Sequence, residues 1–132
     1  MKRRIGIAVL GLGWMGQAHS RSARRIPSHF PQRLFDPVLV VCADPLAERR
    51  TQAVDDFGFQ RATADWREAV TSPDVDAVWV TAPNMQHLPM IEAATAATIS
   101  GVNWVSWRSS PLSGAPAHPQ SAEISVAIAK TH

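Results

Sequence analysis

Apolar residues fall along this chain in short, nearly unbroken runs, separated by polar stretches and turn formers. Ile5–Leu10 (IGIAVL) and Val38–Ala43 (VLVVCA) are the clearest. Runs of this length without alternation suit strands buried on both faces of a parallel sheet. Gln60–Thr63 predicts a short third strand, Ala77–Thr81 (AVWVT) a fourth and Val102–Ser106 a fifth. Between the strands lie helical patterns: Met15–Ile26, a segment from Pro45 to Phe57, a short helix around Trp66–Val70, and Gln86–Ile99. Proline is tolerated at the first helical position, which suits Pro45. Pro119–Lys130, with Ile124, Ala127 and Ile128 at helical spacing, predicts a last helix. Pro27–Pro37 carries three prolines and reads as a loop, and the Ser-, Pro- and Gly-rich segment Ser106–Pro119 as a linker. Strands alternating with helices imply right-handed crossovers and an α/β, doubly wound parallel sheet. Residues 1–106 form that sheet domain in this reading, and 107–132 a linker and helix.

Gly11-Leu12-Gly13-Trp14-Met15-Gly16 is a G-x-G-x-x-G placed directly after the first apolar run and at the start of the first helix. That context gives the motif a mechanism. Gly11 allows a tight turn, Gly13 lets backbone approach a pyrophosphate, and Gly16 lets the helix pack closely on the strand. The helix start, with Trp14 and Met15, offers free N–H groups and the positive end of its dipole to an anion. The second strand ends at Asp44, 28 residues after Gly16. In a dinucleotide site a carboxylate there accepts hydrogen bonds from the adenosine ribose, although the usual spacing is about 20 residues. The proline-rich loop accounts for the excess. Asp44 also fits a plain capping role ahead of Pro45.

Charge agrees with an anionic ligand. Residues 1–50 carry nine Lys/Arg against three Asp/Glu, and the remainder four against eight. Arg21, Arg24 and Arg25 read equally well as a solvated helix face. Basic residues interleaved with aromatics are missing, as are zinc-finger spacings, so nucleic acid is not expected as a partner. No apolar run reaches the 18–20 or so residues of a spanning helix, so neither is a membrane. Met1-Lys2-Arg3-Arg4 before an apolar run imitates a secretory signal, but the four glycines from Gly6 to Gly16 suit a folded strand and loop better. The single cysteine, Cys42, fits a reducing, cytoplasmic setting.

With these residues the sequence resembles the glucose–fructose oxidoreductase, inositol dehydrogenase and MocA (Gfo/Idh/MocA) family. The most specific match is Pro83-Asn84-Met85-Gln86-His87, a P-N-x-x-H following the strand VDAVWV. His19, three residues after Gly16, is a second; a structural contact beside the glycine loop is its plainer reading. The resemblance spans about residues 4–100. It implies a Rossmann fold with strand order 3-2-1-4-5 and NAD as cofactor, with NADP as the alternative. It further implies hydride transfer between nicotinamide and a sugar, cyclitol or related alcohol. Ala82, Pro83 and Asn84 would then line the nicotinamide-ribose side. His87 would stand near the cofactor or serve only at the helix start. Asp44 would favour NAD over NADP by repelling a 2′-phosphate, an effect that Arg49 and Arg50 soften if either reaches the ribose.

Family members follow strand five with E-K-P, whose lysine serves proton transfer, whereas Ser109-Ser110-Pro111 stands here. Serine brings no ammonium group to Ser110, so no catalytic residue is assigned. Members also continue into a substrate domain. The expectation is a truncated cofactor-binding half without turnover of its own, with a non-enzymatic dinucleotide-binding protein or a truncated pseudoenzyme as the alternative. The exposed cleft favours self-association. Shifted by one base, Trp107-Arg108-Ser109 reads through Glu-Lys if the arginine codon is AGA and the serine codon AGC, so residues 102–110 are also a candidate site of frame disturbance.

Overall fold

A computed structural model of the chain describes residues 2–97, 102–106 and 126–130. Strand β1 (Arg3–Leu10) leads through the glycine segment into α1 (Trp14–His29), followed by β2 (Phe35–Ala43), α2 (Ala47–Asp55), β3 (Arg61–Thr63) and α3 (Trp66–Thr71). Next come β4 (Ala77–Val80), a 3₁₀ turn (Asn84–Gln86), α4 (His87–Ala96), β5 (Val102–Ser106) and β6 (Val126–Lys130). Strands β3, β2, β1 and β4 are parallel neighbours in that order, as expected of a doubly wound sheet. Beyond β4 the sheet departs from a simple fifth parallel place. There β6 pairs antiparallel with β4, and β5 takes the outer edge against β6.

The helix expected over 119–130 is therefore corrected for its last residues, because 126–130 form β6. Val126-Ala127-Ile128-Ala129 alternates β-branched and small residues, which fits a pleated strand as well as a helix face. Residues 107–125, with Ser110, lie outside the described residues, and of the candidate frame disturbance at 102–110 only 102–106, the strand β5, are described. A second correction concerns Pro27. It does not end α1, which continues to His29. A proline so near the helix end forfeits one backbone bond, and its own carbonyl still accepts from Arg33 Nη1 at 3.1 Å.

Each face of the sheet has its own core. Ile7, Val9, Leu39 and Cys42 meet Ala23 of α1, Ala53 of α2 and Phe57 on one face. Ala8, Leu10, Val78 and Val80 meet Val70 of α3 and Met90 and Ala94 of α4 on the other. Strand β1 alternates strictly between the two. Strand β2 does not, because Ile7 pairs with Leu39 while Ala8 pairs with Val41, leaving Val40 as an extra residue. Val40 and Val41 consequently belong to the same cluster. After this bulge the phase of β2 is inverted, as bulges do. Cys42 falls on the face of α1 and α2 and Ala43 on the other, and the next residue, Asp44, turns toward the glycine loop.

Leu10 is fully buried where β1 meets the site, whereas Leu34 is 87% exposed. Leu10→Ala should lower the unfolding free energy by about 2–5 kcal/mol. Leu34→Ala should change it by less than about 0.5 kcal/mol. Denaturant unfolding of the two variants checks the core, and equal midpoints would contradict the assignment.

Candidate functional site at the carboxyl ends of the strands

The glycine loop is built by backbone contact. Gly11 has φ +97°, a conformation that L side chains rarely adopt. Its N–H donates to the Ala43 carbonyl at 2.8 Å. A Cβ on Gly16 would lie 2.0 Å from the Gly11 carbonyl oxygen, so α1 starts in direct contact with the end of β1. Gly13 is different. A Cβ there would meet only Arg49 Nη1, at 3.9 Å, so the space above it is open. Gly13 precedes the first turn of α1, with no side-chain cap and no acidic residue in that turn. The first N–H groups of a helix lack intrahelical partners, and these have no side chain to take them.

Asp44 closes the loop from the side of β2. Its side chain is almost fully buried. Oδ2 accepts from the Leu12 N–H at 2.9 Å, and Oδ1 accepts from the Leu46 N–H at 2.9 Å. Arg49 Nη1 stands 3.5 Å from Oδ2 and is 43% exposed. Arg50 has turned away, donating to the carbonyls of Asp44 and Pro45. Because Asp44 already holds the Leu46 N–H, α2 begins at Ala47, two residues later than Pro45 suggests.

Thr81 closes the loop from the side of β4. Its hydroxyl donates to the Gly11 carbonyl at 2.7 Å and lies 3.2 Å from the Leu10 carbonyl. His87 is buried, and its Nε2 lies 2.6 Å from the Ala82 carbonyl. A carbonyl only accepts, so Nε2 carries the proton. The ring thus holds the Ala82–Pro83 segment from beneath. His19 packs edge-on against Trp79 with ring centroids 5.7 Å apart, and burial lowers its pKa.

These elements enclose a cleft of about 690 Å³, within the range of about 300–1,000 Å³ usual for small-molecule sites. Of the residues singled out from sequence, Gly11, Gly13, Trp14, Met15, Asp44, Ala82 and Pro83 line it. Gly16 lies against the Gly11 carbonyl, Asn84 opens the exposed 3₁₀ turn, and His87 is buried against Ala82; none of the three is on the cleft wall. Thr81, Trp66, Leu46 and Met90 do line it and were not foreseen. A hydroxyl at the end of an otherwise apolar strand was the available signal for Thr81. Trp66 follows Asp65, which caps α3 through the Arg67 N–H, and the Arg67 guanidinium lies 4.3 Å from the centre of the indole.

The family model of oxidoreductases with an NAD-binding Rossmann fold, Gfo/Idh/MocA, matches residues 5–102. The chain belongs to the Gfo/Idh/MocA family. It is 33% identical over 93 residues to levoglucosan dehydrogenase of Pseudarthrobacter phenanthrenivorans, a match covering 70% of this chain and 24% of that protein. With scyllo-inositol 2-dehydrogenase (NAD(+)) of Bacillus subtilis it shares 32% over 91 residues, or 69% of this chain and 25% of the relative. The crystal structure of levoglucosan dehydrogenase with NADH and levoglucosan superposes with a TM-score of 0.69 at 32% identity, covering 73% of this chain and 26% of that one. This chain spans about a quarter of the length of these Gfo/Idh/MocA relatives.

In this Gfo/Idh/MocA domain the carboxylate of Asp44 serves two N–H donors at once. Asp44→Asn places an amide NH₂ against one of them and leaves that buried donor unpaired. The cost should be about 1–3 kcal/mol of folding free energy without any cofactor present. An unchanged denaturation midpoint would show that the two bonds do not brace the loop.

Proposed function

We propose that this chain binds NAD along the glycine loop and serves as the cofactor half of a dehydrogenase acting on a sugar, cyclitol or related alcohol. The observation that carries this reading is the open backbone at Gly13 over an uncapped helix start, beside a buried carboxylate in a deep cleft. The residues present fit the cofactor. The N–H groups of Trp14 and Met15 would take the pyrophosphate, and Gly16 would serve by seating α1 against the glycine loop. Asp44 would accept hydrogen bonds from the adenosine ribose. Ala82 and Pro83, with Asn84 beyond them, would wall the nicotinamide side, and His87 contributes by holding the Ala82 carbonyl rather than by contact. When bound, the nicotinamide supplies the hydride chemistry. What the described residues do is bind, orient and exclude water.

The acid–base group is a separate matter. The resemblance puts Ser110 where relatives carry lysine, so these 132 residues alone are read as lacking turnover. A cytoplasmic place of action belongs to the same proposal and is supported by the single, buried, unpaired thiol of Cys42. No helix among the described residues is long and apolar enough to cross a membrane.

Calorimetric titration with NAD and NADP tests the reading. The native chain should bind NAD, and Gly13→Val should bind it at least tenfold more weakly, because the side chain fills the place of the pyrophosphate while meeting little protein. A Gly13→Val variant that binds NAD like the native chain would remove the glycine loop from the site. NAD should bind about tenfold more tightly than NADP, since like charges about 4 Å apart cost roughly 1–4 kcal/mol in water-like to surface-like surroundings. Arg49, 3.5 Å from Asp44, limits that preference. Equal dissociation constants for the two cofactors would take the ribose role from Asp44.

A further inference from the structure

The peptide group joining Gly11 to Leu12 is held at both ends by the strands flanking β1. Its carbonyl accepts from the Thr81 hydroxyl at 2.7 Å, and its N–H donates to Asp44 Oδ2 at 2.9 Å. Thr81 follows β4 and Asp44 follows β2, with β1 between them. The threonine hydroxyl has one proton to give. The Leu10 carbonyl is the longer contact at 3.2 Å, so the Gly11 carbonyl is the principal acceptor. Nothing in the covalent structure of Gly11 opposes rotation of this plane, because glycine populates both signs of φ with similar ease.

We infer that Thr81 is a positioning residue for the dinucleotide. With Asp44 it fixes the Gly11–Leu12 plane, N–H toward β2 and carbonyl toward β4. The chain then leaves Leu12 in the one direction that presents the following N–H groups to the cleft. Without the hydroxyl, the carbonyl loses its partner and the Asp44 bond to the Leu12 N–H holds the plane from one end only. Its oxygen can then face the position of the phosphates, where a partial negative charge opposes binding. This inference rests on the NAD reading above, but the clamp itself exists in the ligand-free chain and can be measured there.

Two hydroxyl-free variants, Thr81→Val and Thr81→Ala, are compared with Thr81→Ser, which keeps the hydroxyl. Amide hydrogen exchange is followed by NMR without ligand, and NAD affinity by calorimetry. In both hydroxyl-free variants the Leu12 amide should exchange at least tenfold faster, while the amides of Val9 and Val78 hold their native rates. The NAD dissociation constant should rise about tenfold, the scale of one lost hydrogen bond. Thr81→Ser should restore both. The inference is overturned if Leu12 exchange is unchanged in the hydroxyl-free variants. It is equally overturned if Thr81→Ser behaves as they do, because bulk rather than the hydroxyl would then matter. Should Thr81→Val fail to fold, Thr81→Ala and Thr81→Ser carry the same comparison. Failure of the native chain to bind NAD would defeat the proposed function, and the exchange rates would still decide the clamp.

Discussion

A peptide group that leaves water must find partners for both its N–H and its carbonyl, and this requirement shapes the site. The loop after β1 is made of glycines because backbone must approach backbone, and glycines bring no side chains to hold themselves in place. The holding is delegated to neighbours. Ala43 takes the Gly11 N–H, Asp44 the Leu12 N–H, and Thr81 meets the Gly11 carbonyl. All three stand at the ends of strands paired with β1. The parallel sheet is therefore more than a platform under the loop. Its register brings the required donors and acceptors to one level, which is why ligands of such sheets collect at the carboxyl ends of the strands.

The level is set by the register, and the direction by the bulge. If β2 alternated strictly from Val38, residues 38, 40, 42 and 44 would share one face. Val38 and Val40 pack with the cluster facing α3 and α4, so Asp44 would point there, among Val70 and Met90. A carboxylate in that place would lack the N–H donors that now compensate its burial. The extra residue at Val40 inverts the phase, puts Cys42 on the face of α1 and α2, and aims Asp44 at Leu12. The same burial that makes this possible pushes the Cys42 thiol up to about 12, with the nearby Asp44 charge as the second cause. Cys42 thus behaves as a small apolar core residue at ordinary pH.

Much of this was legible in the sequence, for identifiable reasons. Runs such as Ile5–Leu10 and Val38–Ala43 are short and uniformly apolar and end at glycine or aspartate, which suits strands buried on both faces. The spacing of Gly11, Gly13 and Gly16 encodes backbone approach directly. What escaped depends on contacts between residues distant in the chain. The role of Thr81 exists only because β4 lies beside β1, 70 residues away in sequence. His87 reads from its motif either as a cofactor neighbour or as a residue of the helix start, and neither reading foretells that its ring bonds the carbonyl of Ala82. The bulge leaves no composition signal in VLVVCA. Val126–Lys130 satisfies two periodicities at once, and pairing with β4 and β5 selects the strand.

The two sequence readings of Asp44, ribose acceptor and local cap, are compatible, and the chemistry of a carboxylate shows how. An ionised carboxylate donates nothing and has about four lone-pair sites. Two are taken, one on each oxygen, by the N–H groups of Leu12 and Leu46. The remaining pair is enough for the two hydroxyls of a ribose. No other side chain offers that capacity in so small a volume. An asparagine has one accepting atom and a serine one oxygen that must also dispose of a proton. Arg49 stands beside the buried group, its Nη1 3.5 Å from Oδ2 and its own side chain 43% exposed. An arginine 3.5 Å away, beyond the usual N–H···O distance and 43% exposed, is a cover that a ligand can displace without breaking a good hydrogen bond. In the proposed complex the ribose would compete with this long contact alone, while the bonds of Asp44 to the Leu12 and Leu46 N–H groups would stay in place and hold the loop.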